Sequence, residues 1–446
     1  MFTVSNSDNN CNIVGRYMMT GSPLDFDRYK STEKECKKAI RKAKKKFESD
    51  IAKNGNKRPF NSYIKYKTKS RVTVGPLKSG TELVTDNTEM ATILSNQFSS
   101  VFSIEDVYNI PPYPDTSGGN RKSNIFFDAE TVRNKIKGLK LSSLCGPDGL
   151  SSKFLNDHVD ILAHPLSIIY NLSMDSGVVP QDWREANVTP IFKNKGSKSR
   201  AENYCPISLT CIPCKVMESI IRDSIVNYLT VHKLISSTQH GFMVKRSCAT
   251  NLLEFLEKST KIFDAGDPLD IIYLDFAKAF DKVPHQRLLS KMRAMGIEGH
   301  ILRWIEAWLK DRRQRTVLNG CYSSWLEVLS GVLQGSVLGP LLFVIFINDI
   351  DKCAEHISII LKFAHDTKVG NRAATQEERD RLQACLDRLT EWADKWCMSF
   401  NTDKCKVLHV GRSNPQGVYT MNGTPLAVTE KERDIGVIIS HTLKPS

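Results

Sequence analysis

The chain has 446 residues, 41% of them apolar, which is enough to bury a large core and more than one ordinary domain holds. Its formal net charge of +13 is unevenly placed: between Arg28 and Arg71 stand 17 Lys and Arg against 4 Asp and Glu, so this segment carries the whole excess. Twelve cysteines without paired spacing, and an N-terminus, MFTVSNSDNN, without a charged and apolar leader, exclude a disulfide-stapled secreted scaffold and point to an intracellular, reduced protein. No apolar run approaches the ~18 residues of a membrane span, so no membrane partner is expected.

In chain order, residues 1–27 are polar and expected to be disordered. Residues 28–108 read as a basic helical region. In "YKSTEKECKKAIRKAKKKF" the cations Lys37, Lys38, Arg41, Lys42, Lys44, Lys45 and Lys46 fit a polyanion, because each neutralised phosphate releases a counterion. A solvated charged helix is the plain alternative. "RKAKKK" also hints at the nucleus beside the cytoplasm. "NTEMATILSNQFSSVF" sets Met90, Ile93, Leu94, Phe98, Val101 and Phe102 on one helical face. "NIPPYPDTSGGNRKSN" reads as a linker, which places the main domain boundary at 109–124.

From residue 125 to 444 the pattern is α/β. "DIIYLDFAKAF" is a buried strand running into a turn, "HQRLLSKMRAMG" is a helix stopped by Gly296, and "HILRWIEAWLKDRR" is another helix. "QRTVLNGCYSSWLEVLSG" alternates like a hairpin with Asn319-Gly320 at its tip. "PLLFVIFI" is a buried helix or strand. Leu382, Leu386, Leu389, Trp392 and Trp396 step as one helix face, a core stripe. Cys211 and Cys214 form one CxxC, but no second pair stands at zinc-ribbon spacing, so chance recurrence is the better reading.

Carboxylates at strand ends carry the chemistry. Asp275 follows the apolar "IIYL", and a buried-side aspartate needs a metal or a donor; Asp281 and Asp349 also border apolar runs. Each alone is more often a turn former or cap, and it is the ensemble that points to chemistry. "LKFAHDTKVG" puts His365 and Asp366 at a hairpin tip. One acid from a strand end and one from such a tip can hold two divalent ions about 4 Å apart. A basic loop, "PIFKNKGSKSR", could meet a triphosphate, and "GVLQGSVLGP" could let a backbone approach a base pair.

In order, "GPDGLSSKFL", "VTPIFKNKGSKSRAENYCPISLT", "QHGFMVKRSCATNLLEF", "YLDFAKAFDKVPHQRLL", "GVLQGSVLGPLLFVIFINDI", "LKFAHDTKVG", "WCMSFNTDKCKVLHVG" and "RDIGVIISHTLK" resemble the successive blocks of reverse transcriptases from LINE-type, non-LTR retrotransposons. The resemblance implies an α/β (α+β) right-hand polymerase with fingers and palm, a helical basic N-terminal extension and a thumb largely missing, since family members usually carry a thumb downstream and an endonuclease upstream. It implies RNA-directed DNA synthesis from an RNA template and DNA primer, with Mg2+ (Mn2+ possible) and dNTPs. Carried over by position, Asp275, the Phe276 backbone and Asp366 are metal ligands. Lys193 meets the triphosphate, Phe280 is the aromatic gate against a ribose 2′-hydroxyl, Gln334 and Gly335 shape the nucleotide floor, and Lys404 lies in the block supplying a general acid. Phe280 could instead be core only, and Lys404 a surface lysine only.

Two positions depart from the family pattern. His365 stands where the family has the first aspartate of Phe-Ala-Asp-Asp, and magnesium prefers oxygen donors over imidazole. A one-residue slip that brought Asp366 into its place is opposed by the apolar approach "IILKF". Cys205 stands where the family has arginine before Pro-Ile-Ser, and a thiol cannot grip a triphosphate bidentately. The expectation is therefore a polymerase of impaired activity. The other reading left open is a non-catalytic nucleic-acid-binding remnant.

Overall fold

The structure, a computed structural model, describes residues 74–443 together with isolated positions between Leu24 and Asp50. The chain divides into two units, Met1–Val72 and Thr73–Ser446. In the first unit the described positions, Lys38, Lys42, Lys45 and Lys46 among them, are helical and exposed. Lys37, Arg41 and Lys44, and all of 1–23, lie outside the described residues.

The second unit opens with β1 (Leu77–Ser79), β2 (Glu82–Val84) and α1 (Asn87–Ser99). Asp86 starts that helix because its carboxylate accepts the Thr88 and Glu89 N–H groups, two donors with no partner inside the helix. Met90, Leu94 and Phe98 are buried against Val188, Tyr204 and Leu318, with Ile93 half-buried beside them. Val101 and Phe102 fall past the helix end.

The expected linker at 109–124 does not divide the chain; it lies inside the second unit. Just before it, Glu105 accepts the backbone N–H groups of Gln286 and Arg287 and pairs with the Arg287 guanidinium at 3.0 Å, in a nearly dry setting. Within it, Thr116 N–H donates to the Ala294 carbonyl, and the Tyr113 ring meets Trp396 edge-on at 5.7 Å. Pro, Gly and Ser signal the absence of regular structure, which is a different property from the absence of contacts.

Helices α2 (Ala129–Lys137) and α3 (Val159–Ser176) lead to strands β3 (Glu185–Phe192) and β4 (Tyr204–Leu209). Then come α4 (Ile212–Val231), α5 (Cys248–Asp264), β5 (Leu269–Leu274), α6 (His285–Ala294) and α7 (Gly299–Leu309). They are followed by β6 (Arg313–Leu318), β7 (Cys321–Tyr322) and β8 (Leu326–Glu327). Last stand α8 (Gly339–Phe346), β9 (Ile359–Phe363), β10 (Asp366–Arg372), α9 (Gln376–Lys395), β11 (Lys406–Val410), β12 (Ala427–Thr429), β13 (Lys431–Asp434) and β14 (Val437–Ser440).

Two five-stranded sheets organise these elements. The first runs β4-β3-β6-β7 with β8 also on β6, and the second β12-β11-β5-β10-β9. In the first, Asn319 and Gly320 both take positive φ, 49° and 84°, the conformation that a two-residue hairpin turn requires. In the second, alternation sends Ile272, Leu274, Val369 and Val407 to a core shared with α6, α8 and α9. Leu269, Ile271, Leu361 and Ile439 join Phe255 of α5 on the other face. "PLLFVIFI" is helical and buried all round, as a uniformly apolar helix must be. No helix among the described residues is long and apolar enough to cross a membrane.

Candidate active site

Strand β5 is fully apolar at its end, and Asp275 is the first residue past it. Thr367 of β10 faces Leu274 antiparallel, so continuing the register sets Asp366 opposite Asp275. Period-two alternation then puts both carboxylates on the face that carries Tyr273 and Lys368. All four line one cavity of about 430 Å³, with Lys404 and Asp434.

The segment after α9 returns along β5. Asn401 N–H donates to the Asp275 carbonyl and Ala277 N–H to the Ser399 carbonyl, both at 2.8 Å, and Phe276 stacks on Phe400 at 4.4 Å between ring centres. These bonds flank Phe276 as a non-hydrogen-bonded pair with Phe400, so the Phe276 carbonyl points to the opposite edge, toward β10. The return also delivers Lys404, whose Nζ lies 2.7 Å from the Asp275 Oδ2. Lys404, though 63% exposed, thus lines the same cavity as the two carboxylates.

The β9–β10 hairpin closes through Ala364 and His365, with Asp366 paired to Phe363. Asp366 is the tip residue that lines the cavity, while the His365 ring turns edge-on to Phe280 at 6.0 Å. His365 Nε2 stands 3.7 Å from Asp366 Oδ1, and its Nδ1 is buried without a partner. Partial burial lifts the Asp366 carboxyl above its ordinary range against the pull of His365; the Asp275 and Asp434 charges add to the rise and Lys404 opposes it. Ala364 takes φ 55°, the left-handed region a β-carbon disfavours. It is held there by its N–H, which donates at 3.0 Å to the buried Gln239 side chain.

The other residues named from the sequence lie outside the lining of this cavity: Phe280 and Gln334 border a second, smaller one with Ser208 and Asp281. Lys193 follows β3, and its Nζ donates to the Glu202 carbonyl at 2.8 Å. Burial lowers its pKa and the Lys278 charge adds to that; Cys205 opposes it, and Lys404 lowers it again. Cys205 faces Ile191 across β3 and β4, and its Sγ donates to Gln334 Oε1 at 3.4 Å. The Gln334 carbonyl accepts the Ser208 N–H at 2.9 Å, and a β-carbon on Gly335 would stand 2.4 Å from the Ser208 carbonyl oxygen. Glycine is required there by that close approach and by φ 116°. Phe280 stacks on Phe343 at 4.8 Å while also meeting the His365 ring edge-on at 6.0 Å.

Sequence reasoning missed Gln239, Lys278 and the buried Lys368–Asp434 ion pair in the cavity wall. The "QHGF" block was a visible signal for Gln239. Lys368 and Asp434 are joined only by the fold, and no local spacing reveals them. Cys211 and Cys214 are both buried, and burial pushes the Cys211 thiol up to about 12, the opposite of a reactive or metal-binding pair. Among the described residues no group of three His, Cys, Asp or Glu side chains forms a metal cluster. Asp275, Asp366 and the Phe276 carbonyl nevertheless offer hard oxygen donors, which suit magnesium.

The description "Reverse transcriptase (RNA-dependent DNA polymerase)" matches residues 192–435, which contain every site residue above. The RNA-directed DNA polymerase from mobile element jockey of Drosophila melanogaster is 26% identical over 322 residues, 70% of this chain and 35% of that protein. Its Drosophila funebris counterpart is 28% identical over 322 residues with the same shares. A Pol polyprotein from the type-1 retrotransposable element R2 of Nasonia vitripennis is 24% identical over 269 residues, 59% of this chain and 25% of its own. The chain thus spans about a third of the length of the jockey relatives. It belongs to the reverse transcriptase (RNA-dependent DNA polymerase) family, in the company of the non-LTR retrotransposon members.

Proposed function

We propose that this chain is the polymerase portion of a non-LTR retrotransposon protein, an RNA-directed DNA polymerase in which the first sheet belongs to the fingers and the second is the palm. The convergence of Asp275, Asp366 and Lys404 on one cavity, with the Lys404 charge felt by Lys193, carries this reading. Asp275, the Phe276 carbonyl and Asp366 would hold Mg2+ or Mn2+, which when bound supplies charge that acidifies the primer hydroxyl and neutralises the phosphate.

The chain's own groups do the rest. Lys193 grips the triphosphate. Lys404 leaves Asp275 to protonate the departing pyrophosphate oxygen. Phe280 fills the space a ribose 2′-hydroxyl would need, and Gln334 and Gly335 form the floor under the nascent pair. RNA template and DNA primer are the partners, and an intracellular setting agrees with ten free cysteines among the described residues. His365 offers nitrogen where the family has an oxygen, so turnover is lowered by orders of magnitude. Cys205 gives no bidentate grip, so dNTP binding is weakened as well.

The second reading, nucleic-acid binding without catalysis, is favoured by the net +13 of residues 28–71. Primer extension on an RNA template, with Asp275→Asn as the control, separates the two. Slow incorporation abolished by Asp275→Asn supports the polymerase. Binding with a steep salt dependence but no incorporation in Mg2+ or Mn2+ supports the second reading.

A further inference from the structure

The segment 238–246 runs beside the catalytic hairpin and is tied to its turn. Lys362 N–H donates to the Thr238 carbonyl and His240 N–H to the Lys362 carbonyl, both at 2.9 Å. Gln239 Oε1 accepts the N–H groups of Gly241 at 2.8 Å and Ala364 at 3.0 Å. Gly241 lies so close that a β-carbon on it would stand 2.3 Å from the Ala364 nitrogen. The next residue is exposed: Phe242 is held at φ 58° with 53% of its surface in solvent. Arg246 braces the far side, its Nη1 donating to the Gln239 carbonyl at 2.9 Å.

A bulky aromatic in left-handed backbone with half of its surface in water gains little burial and no conformational ease, and such outliers gather at ligand clamps. Phe242 borders a cavity of about 520 Å³ shared with Arg222, Ser336, Val337 and Pro340. Ser336 and Val337 directly follow the Gln334-Gly335 floor. Phe242 thus stands between Gly241, which abuts the catalytic turn, and a cavity shared with the segment that follows the floor, with Lys245 three residues on.

We propose that Phe242 is a stacking platform for an unpaired base of the template strand, held in line with the catalytic turn by Gln239 and Gly241. This rests on the polymerase reading above. The occupant follows from chemistry: a half-exposed aromatic face with Lys245 close by in the chain suits a nucleobase on its phosphate backbone, although Arg222 in the same cavity is paired with Asp223, and stacking needs no particular sequence. Continuity with the nucleotide floor puts that base next to the one being copied.

The test uses the full chain and an RNA template annealed to a DNA primer, with 2-aminopurine placed at successive unpaired template positions. Fluorescence quenching and binding anisotropy are read for the unaltered chain, Phe242→Ala and Phe242→Trp. The expected result is quenching at one position, lost in Phe242→Ala together with roughly tenfold or more in affinity, and restored in Phe242→Trp. The salt slope stays unchanged, because no phosphate contact is removed. Primer-template binding with quenching and affinity indifferent to Phe242 overturns the platform alone and leaves this apolar tip to a protein partner. Failure of every variant to bind primer-template overturns the polymerase reading, and the platform with it.

Discussion

Two charged clusters sit on opposite sides of the second sheet. On the helical side, Lys291 is wholly buried; its Nζ donates to the Phe346 carbonyl at 2.7 Å and to Asp349 at 2.5 Å. The rings of Trp396, Phe346, Trp392 and Tyr113 surround it at 3.7 to 5.4 Å, and the Trp392 indole N–H holds the second Asp349 oxygen. Each of these groups is paired. At the hairpin end of the sheet His365 Nδ1 and Gln239 Nε2 have no partner and Ala364 is strained, and in the cavity Lys404 is 63% exposed beside a carboxylate whose neighbour is also a carboxylate. The paired cluster is built for stability, and the unpaired one is poised for something the chain does not itself contain.

Breaking the first cluster should have the largest effect on folding. Lys291→Met strands Asp349 in the core and should cost about 3–5 kcal/mol in urea unfolding. Asp275→Asn and Asp366→Asn should abolish incorporation with no such loss. The pH dependence sharpens the contrast. Burial lowers Lys291 from its ordinary 10.5 to about 8 despite Asp349, so between those values the unfolded chain binds the extra proton. Stability should therefore rise with pH through that window, by a contribution absent from Lys291→Met. Asp366 has the opposite sign. Its raised pKa means the folded state holds the proton longer, so its contribution falls as pH climbs above the ordinary carboxylate range, and Asp366→Asn should not destabilise at neutral pH.

Smaller effects probe the turn. Gly241→Ala should cost about 1–3 kcal/mol by crowding the Ala364 nitrogen, and should lower incorporation further than the stability change explains. Ala364→Gly relieves a left-handed alanine at the price of chain entropy, for a gain under about 1 kcal/mol by thermal unfolding.

Much of this was legible in sequence because it is local. An apolar strand ending in Asp275, a hairpin carrying His365 and Asp366, the Asn319-Gly320 turn and the α9 stripe each follow from spacing within a dozen or so residues. What escaped is long-range. The 109–124 segment looked like a linker because composition says nothing of the anchors at Ala294 and Trp396. Lys291 lies in an amphipathic helix where a lysine reads as solvent-facing, and its partners come from three other segments. Asp366 was expected at the site as the second carboxylate of the hairpin, needing a slip only to take the place of the first. Alternation along β10 puts it on the Asp275 face.

The most direct measurement is primer extension on an RNA template with this chain, His365→Asp, Cys205→Arg and the double variant, each in Mg2+ and in Mn2+. The account predicts that His365→Asp raises the rate by orders of magnitude, most of all in Mg2+, and that Cys205→Arg lowers the dNTP KM on top of it. Folded proteins that bind primer-template, with His365→Asp no faster than the unaltered chain, would contradict it.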